Sequence, residues 1–192
     1  MTIQRRESTI EYPVPVIGFA AFSGTGKTTL LLKLIPLLKA AGVRLAVVKH
    51  AHHAFDVDHP GKDSYRLREA GADEMLVASR RRMAWIRENT QEVEPTLHDA
   101  LAALNPDGLD LVLVEGFKGD AFPKIELNRS ATQAPLLFLS DPNIVAIATD
   151  AGTLAEEAGT LPVLSINDPG SIVDFILSFS GLDERHAQNR AR

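Results

Sequence analysis

An α/β fold is predicted, with a mainly parallel sheet and helices on both faces. Three observations predict it. Nearly continuous apolar runs, "VPVIGFAAF" (14–22) and "LDLVLVEG" (109–116), read as strands buried on both faces. Segments of helical periodicity alternate with these and further strand candidates. A glycine-rich turn joins the first strand directly to a leucine-rich helix. The 192 residues suit one such domain, and a hydrophobic content of 45% suits a core of ordinary size. The net charge of −5 argues against a nucleic-acid backbone as main partner. The absence of cysteine excludes disulfides and thiolate metal sites and permits a reducing compartment. The opening "MTIQRRESTIEYP" has no apolar h-region, and no apolar run reaches the roughly 18 residues of a membrane span. A cytoplasmic protein with no membrane partner is the expectation.

In chain order, residues 1–13 form a polar, flexible tail, a single domain occupies 14–180, and a polar tail covers 181–192. Pro15 restricts ladder bonding, so the first regular strand starts after it. A helix runs from about Thr28 to Ala41, with Leu30, Leu31, Leu34, Ile35 and Leu38 on one face and Gly42 as its stop. Pro36 inside it removes a backbone donor to Leu32 and favours a kink. "VRLAVVKH" (43–50) is the second strand. A polar loop (50–62) leads to a short helix ending at Gly71, for which Asp63 and Ser64 are candidate N-caps. Residues 74–88 read as two short strands around the basic turn "SRRRM", with Trp85 at a core or subunit interface. A helix over 95–104 points Leu97, Ala100, Leu101 and Leu104 inward. Strands follow at 109–116, 124–129, 143–150 and 161–168. Pro169 sits at N1 of a closing helix whose inward residues are Ile172, Val173, Ile176 and Leu177. There is no repeat and no internal linker.

"SGTGKT" (23–28) carries the clearest chemistry. Its glycines let the backbone wrap an anion with N–H groups pointing inward, and the following helix N-terminus adds positive potential. Lys27 is placed to reach the β- and γ-phosphates of a nucleotide, and the Thr28 hydroxyl to bind Mg²⁺. This is the P-loop pattern G-x-x-x-x-G-K-[ST] with Ala21 at the first glycine, and Gly24 supplies the missing freedom. Strand, turn and helix occur in the order the motif needs, which separates it from a chance glycine turn. A P-loop NTPase-like sheet follows. Glu115, at the carboxyl end of a hydrophobic strand, is the matching acid, either holding Mg²⁺ through water or orienting an attacking water.

Four of six histidines crowd "KHAHHAFDVDHPGKDS": His50, His52, His53 and His59. The stretch reads as a transition-metal site, as a phosphate-facing switch loop led by Lys49 and His50, or as a solvated loop. Its spacing matches no HExxH-type signature, so no metal ligand is assigned there. For the base, Asp150 in "AIATD" stands where many guanine binders carry the Asp of N-K-x-D, although the Asn and Lys are absent. "SIND" offers Asn167 and Asp168 as a second candidate, with Asp168 also fitting a helix cap.

"FAAFSGTGKTTLLLKLIPLLKAAG", "VVKHAHHAFDVDHPGKDSYRLREAGA", "LVASRRRMAW" and "DLVLVEGFK" together resemble the MobB family, the adaptors of molybdopterin-guanine dinucleotide biosynthesis. The resemblance covers most of 14–180. It implies GTP binding with Mg²⁺, weak GTP hydrolysis, a homodimer and association with the MobA guanylyltransferase. It implies P-loop roles for Gly24, Thr25, Gly26, Lys27, Thr28 and Thr29, the acidic role of the "VEGFK" turn for Glu115, and phosphate-side roles for Lys49, His50 and Asp63. Ser23, which opens "SGTGKT", is a further phosphate-side candidate, and Lys27 and Glu115 are the candidate catalytic residues. Two other readings stand beside it. One is a P-loop kinase or ligase for a small metabolite, resembling dethiobiotin synthetase. The other is a histidine-loop metallochaperone GTPase.

Overall fold

A computed structural model describes residues 10–51, 55–152 and 154–183. These fall into two compact units. One comprises the chain up to His50 together with the chain from Thr96 onward, and the other is Ala51–Pro95. The larger unit carries a six-stranded sheet of β1 (Val16–Ala20), β2 (Leu45–Lys49), β5 (Leu111–Glu115), β6 (Lys124–Asn128), β7 (Ile144–Thr149) and β8 (Val163–Ser165). The order is β2-β5-β1-β6-β7-β8, and every neighbouring pair is parallel. Consecutive parallel strands need crossovers, so helices cover both faces.

The period-2 alternation of each strand sorts its side chains between two layers. Ile17 and Phe19 of β1, Leu111 and Leu113 of β5 and Ile125 and Leu127 of β6 pack with α1 (Lys27–Ala40) and α5 (Pro169–Ser180). Val112 and Val114 turn the other way, onto Leu97 and Leu101 of α3 (Leu97–Ala102). Ile144 and Ile147 pack beside Ala158, which follows α4 (Leu154–Glu157). Leu30, Leu31, Leu34 and Leu38 are the buried face of α1, as its periodicity predicts, and Ile35 is half-buried. The helix continues through Pro36 and ends in a Schellman arrangement. The Gly42 N–H donates to Lys39 and the Val43 N–H to Leu38.

Several boundaries differ from expectation. The last strand is only Val163–Ser165: the Ile166 N–H still donates to the Thr149 carbonyl at 3.1 Å, but Ile166 packs in the core and Asp168 starts a helix cap. Asp168 accepts the N–H groups of Gly170 and Ser171 at α5, with Pro169 at N1. The four-residue α4 is barely one turn, too short to set up a repeating pattern in the sequence. Strand β6 reads as half-polar yet is buried throughout. Lys124, 1% exposed, pairs with Asp141 at 2.9 Å and donates to the Lys118 and Asp120 carbonyls. Glu126, also 1% exposed, accepts the N–H groups of Leu137 and Phe138 at 2.8 Å each. Asp141, Leu137 and Phe138 lie 11 to 17 residues further along the chain, so no local pattern reveals them.

The smaller unit contains α2 (Asp63–Glu69) and an antiparallel hairpin of β3 (Glu74–Ala78) and β4 (Met83–Arg87). The basic turn is its tip, closed by the Ser79 N–H on the Arg82 carbonyl at 2.8 Å. Neither proposed residue caps α2. Lys62 holds the N-cap position, Asp63 is the first helical residue, and the Ser64 hydroxyl donates to Asp58. Asp63 still favours the helix, as an acid in its first turn. Arg68 gathers Asp56, Asp58 and Glu88 around a guanidinium 9% exposed. Among the described residues no helix is long and apolar enough to cross a membrane.

Burial raises the Glu126 pKa above the ordinary carboxylate range, against the two N–H bonds that favour its charge. Its proton is therefore held more tightly in the folded chain than in the unfolded one. The Glu126 contribution to stability is full below the ordinary glutamate pKa and declines as pH rises through the raised value. Glu126→Gln removes this titration. Thermal melts from about pH 4 to pH 7 should show the wild type losing stability relative to the variant as pH rises. A pH-independent offset would contradict the assignment.

Candidate functional site

The carboxyl ends of β1, β5, β2, β6 and β7 gather the sequence-predicted side chains of the larger unit along one edge. That edge is where ligands of open parallel sheets bind. Past β1, Ala21 keeps an ordinary backbone and is buried in the core, so a methyl group is tolerated where the motif has glycine. The freedom is needed later, at Gly24 (φ +79) and Gly26 (φ +97), which bracket the buried Thr25. Thr25 fastens the turn by donating its hydroxyl to the Phe22 carbonyl at 2.9 Å. Gly26 is the N-cap of α1, with no side-chain cap and no acid in the first turn. The contrast with α3 and α5 is informative, because Thr96 and Asp168 close those helix ends. The first N–H donors of α1 are left for an anion.

Lys27 folds back over this turn, donating to the carbonyls of Ala21 at 2.9 Å and Phe22 at 3.2 Å. Partial burial lowers its pKa, an effect that Glu115 opposes and Lys118 reinforces. The Thr28 hydroxyl donates to Glu115 Oε1 at 3.1 Å, so the two predicted metal-side oxygens already meet. Lys49 lies 3.8 Å from Glu115 Oε2. Ser23 and Thr29 are exposed on the turn and on the first turn of α1.

The β2 and β5 ends clasp each other. The His50 N–H donates to the Glu115 carbonyl at 2.8 Å, and the His50 ring stacks on Phe117 with centroids 4.4 Å apart. Gly116 (φ +106) and Phe117 (φ +50) make the turn. A Cβ on Gly116 would stand 2.4 Å from the His50 Cβ. His50 thus fixes the strand end that presents Glu115.

Asp150 follows β7. Its Oδ1 accepts the Ser130 N–H at 2.8 Å and its Oδ2 accepts Arg129 Nη1 at 3.2 Å. The Ser130 N–H first, and then Arg129, hold its carboxyl below the usual range. Asp168, the second candidate for the base, is occupied as a helix cap. Asp63 opens α2 of the smaller unit. His52 and His53, on which the metal reading turns, lie outside the described residues.

Two residues at the site escaped the sequence reading. Lys118 places its ammonium 5.7 Å from the ring centroid of Phe22 in the turn. Arg129 donates Nε to the Thr25 carbonyl at 3.3 Å. Lys118 had a signal in its position just after "VEGF". Arg129 had only its place at the end of a strand whose partner strands were not knowable from one sequence. The cations Lys27, Lys49, Lys118 and Arg129 outnumber the acids Glu115 and Asp150, in a chain that is acidic overall. The edge is locally cationic.

Gly116→Ala tests the clasp. It introduces both an unfavourable φ and a backbone-level clash, so a loss of about 1–3 kcal/mol in unfolding free energy is expected. A denaturant melt with an unchanged midpoint would show that the close approach of His50 is not needed.

A model of the family "MobB: Molybdopterin guanine dinucleotide synthesis protein B" matches residues 16–150. The chain is 44% identical over 167 residues to the molybdopterin-guanine dinucleotide biosynthesis adapter protein of Escherichia coli K12, covering 86% of this chain and 93% of that one. The protein of the same name from Haemophilus influenzae is 42% identical over 164 residues, covering 85% and 88%. A crystal structure of Bacillus subtilis MobB superimposes with a TM-score of 0.66 at 26% identity, covering 85% of this chain and 96% of that one. The parallel sheet, the uncapped P-loop helix and the "VEGFK" turn thus occur in a chain that is matched over most of its length, and it belongs to the MobB family.

Proposed function

We propose that the chain is a cytoplasmic GTP-binding adapter of molybdopterin-guanine dinucleotide biosynthesis, one that assists the MobA guanylyltransferase and hydrolyses GTP slowly. The observation that carries this is the uncapped N-terminus of α1, with Lys27 above it and Thr28 hydrogen-bonded to Glu115. Amide donors, an ammonium and a helix end suit a triphosphate. A hydroxyl beside a carboxylate suits Mg²⁺, a hard cation that takes oxygen ligands. Held by Thr28 and Glu115, Mg²⁺ would supply charge neutralisation to the bound phosphates. Lys27 leaves its two carbonyl partners for phosphate oxygens, Thr28 and Glu115 supply oxygens on the metal side, and Lys49 offsets the charge of Glu115. Asp150 reads guanine by accepting from its N1–H and N2–H₂ groups.

Slow turnover follows from what the site holds. The loop at 50–64 contains no glutamine to orient water, which leaves Glu115 for that task. The arginine of this edge, Arg129, is tied to Thr25 and Asp150. Self-association is supported by the hairpin face on which Leu76, Met83 and Trp85 stand together, exposed at 54%, 69% and 44%. A homodimer through this face is the reading it favours.

Lys27→Ala removes a charge-assisted contact and should weaken GTP binding by about 1.5–3 kcal/mol, measured by titration calorimetry, with the circular dichroism spectrum unchanged. Equal affinity in the variant would move the phosphate site elsewhere. Single-turnover hydrolysis should run on the order of 10⁻⁴ s⁻¹, and a rate near 10 s⁻¹, in the usual kinase range, would contradict an adapter. In the same preparation, the chain with GTP and Mg²⁺ should retain the guanylyltransferase on a column. Multiple turnovers with a small acceptor and no such retention would favour the kinase reading.

A further inference from the structure

Arg129 occupies a place that the phosphate grip alone does not explain. Strands β6 and β7 pair in register up to Asn128 and Thr149, so Arg129 and Asp150 emerge side by side, one residue past the paired ends. Strand β6 also neighbours β1, whose continuation is the P-loop. Arg129 therefore stands between the loop and Asp150, and its guanidinium reaches both. Nε meets the Thr25 carbonyl at 3.3 Å and Nη1 meets Asp150 Oδ2 at 3.2 Å. A Cβ built on Gly26 would lie 3.9 Å from Nε, which puts the guanidinium against the N-cap of α1. On its other oxygen Asp150 is held by the Ser130 N–H, from the residue after Arg129.

We propose that Arg129 is the positioning residue that couples base recognition to the phosphate grip, by holding the Asp150 carboxylate at a fixed place relative to the P-loop. This rests on the reading of Asp150 as the guanine acceptor. The planar fork of arginine suits the task, because it donates in two directions from one rigid group. Asp150 follows a strand end, its Oδ1 is held by Ser130, and among the described residues Arg129 is the side chain paired with its Oδ2. Each carboxylate oxygen accepts more than one hydrogen bond, so both remain available to N1–H and N2–H₂ of a guanine while their present partners stay. The missing Asn and Lys of N-K-x-D are then replaced in effect by one side chain from the adjacent strand.

Two other roles predict different behaviour. A strap that only stiffens the loop would affect all triphosphates alike. A direct phosphate contact would affect triphosphates more than diphosphates, whatever the base. The test is titration of the full chain with GTP, GDP, ATP and xanthosine triphosphate in Mg²⁺, for the wild type, Arg129→Ala, Arg129→Lys, Asp150→Asn and the Arg129→Ala/Asp150→Asn double variant. Thermal melts confirm that each variant is folded.

The wild type should prefer GTP to ATP, and Asp150→Asn should lose that preference and gain xanthosine triphosphate binding. Arg129→Ala should lower the GTP-to-ATP preference about tenfold, comparable to one good hydrogen-bonded coupling. Lysine, which cannot span both contacts, should restore part of the preference. The double variant should discriminate no worse than Asp150→Asn alone. An Arg129→Ala protein that binds both nucleotides more weakly but keeps the ratio overturns the coupling, as does a selective loss of triphosphate over diphosphate. Should the wild type show no guanine preference, or Asp150→Asn keep it, the base reading itself falls and takes this inference with it. That failure appears in arms that do not involve Arg129.

Discussion

Between Ala20, the end of β1, and Lys27, the start of α1, the backbone must pass from strand to helix while giving the helix N-terminus no side-chain cap. Helix ends ordinarily attract a side-chain acceptor, and α3 and α5 each have one. At α1 the cap is a glycine in the left-handed region, which provides geometry without an acceptor. The donors are left unsatisfied by the chain itself, and Lys27 adds positive charge above them. The fold tolerates this because α1 is anchored elsewhere. Its four buried leucines and its Schellman end at Gly42 hold the helix without help from its N-terminus.

Around this bend the neighbouring strand ends form two opposed supports. On one side, β2 and β5 are locked by the close approach of His50 to Gly116, which sets Glu115 beside Thr28. On the other, β6 delivers Arg129 to the carbonyl of Thr25, and β7 delivers Asp150 to Arg129. The polar residues Lys124 and Glu126 under β6 belong to this second support. Their partners Asp141, Leu137 and Phe138 pull the 130–143 segment over the sheet, just beyond the strand end that carries Arg129. Removing a partner there would leave a buried charge, which is far more costly than removing the pair.

Most of the sheet was legible in the sequence, because strands buried on both faces leave continuous apolar runs and the helices keep a 3.6-residue period. The P-loop was legible for a different reason: its chemistry is local, with glycines, lysine and threonine adjacent in the chain. Glu115 was found because the end of a hydrophobic strand has a known direction in a parallel sheet. What stayed hidden depends on which strands are neighbours. Arg129 gains its meaning only once β6 is known to lie between β1 and β7. Glu126 looks like a solvated residue until the 3₁₀ turn at Leu137–Leu139 is seen to cover it. The α2 cap failed more simply, since Asp63 and Ser64 both fit the first turn and the helix starts one residue earlier than a cap there would allow.

The proposed reading has the site grip a nucleotide and turn it over slowly, and the placement of its charges bears on that reading. Fast phosphoryl transfer needs a positive charge delivered to the γ-phosphate and a group that orients water. Here Arg129, beside the loop, is held from two sides, by a carbonyl and a carboxylate, at the edge opposite Glu115. Lys27 rests on the carbonyls of its own loop and Lys49 on Glu115, so each cation near the phosphates also has a structural partner to leave. Binding a nucleotide exchanges these internal contacts for external ones, and the strand ends that bear them must adjust. A site whose charges serve first as internal fasteners couples occupancy to the arrangement of the sheet edge. On the proposed reading, that coupling is what a partner protein would sense, and rapid hydrolysis would only shorten the time in which it does so.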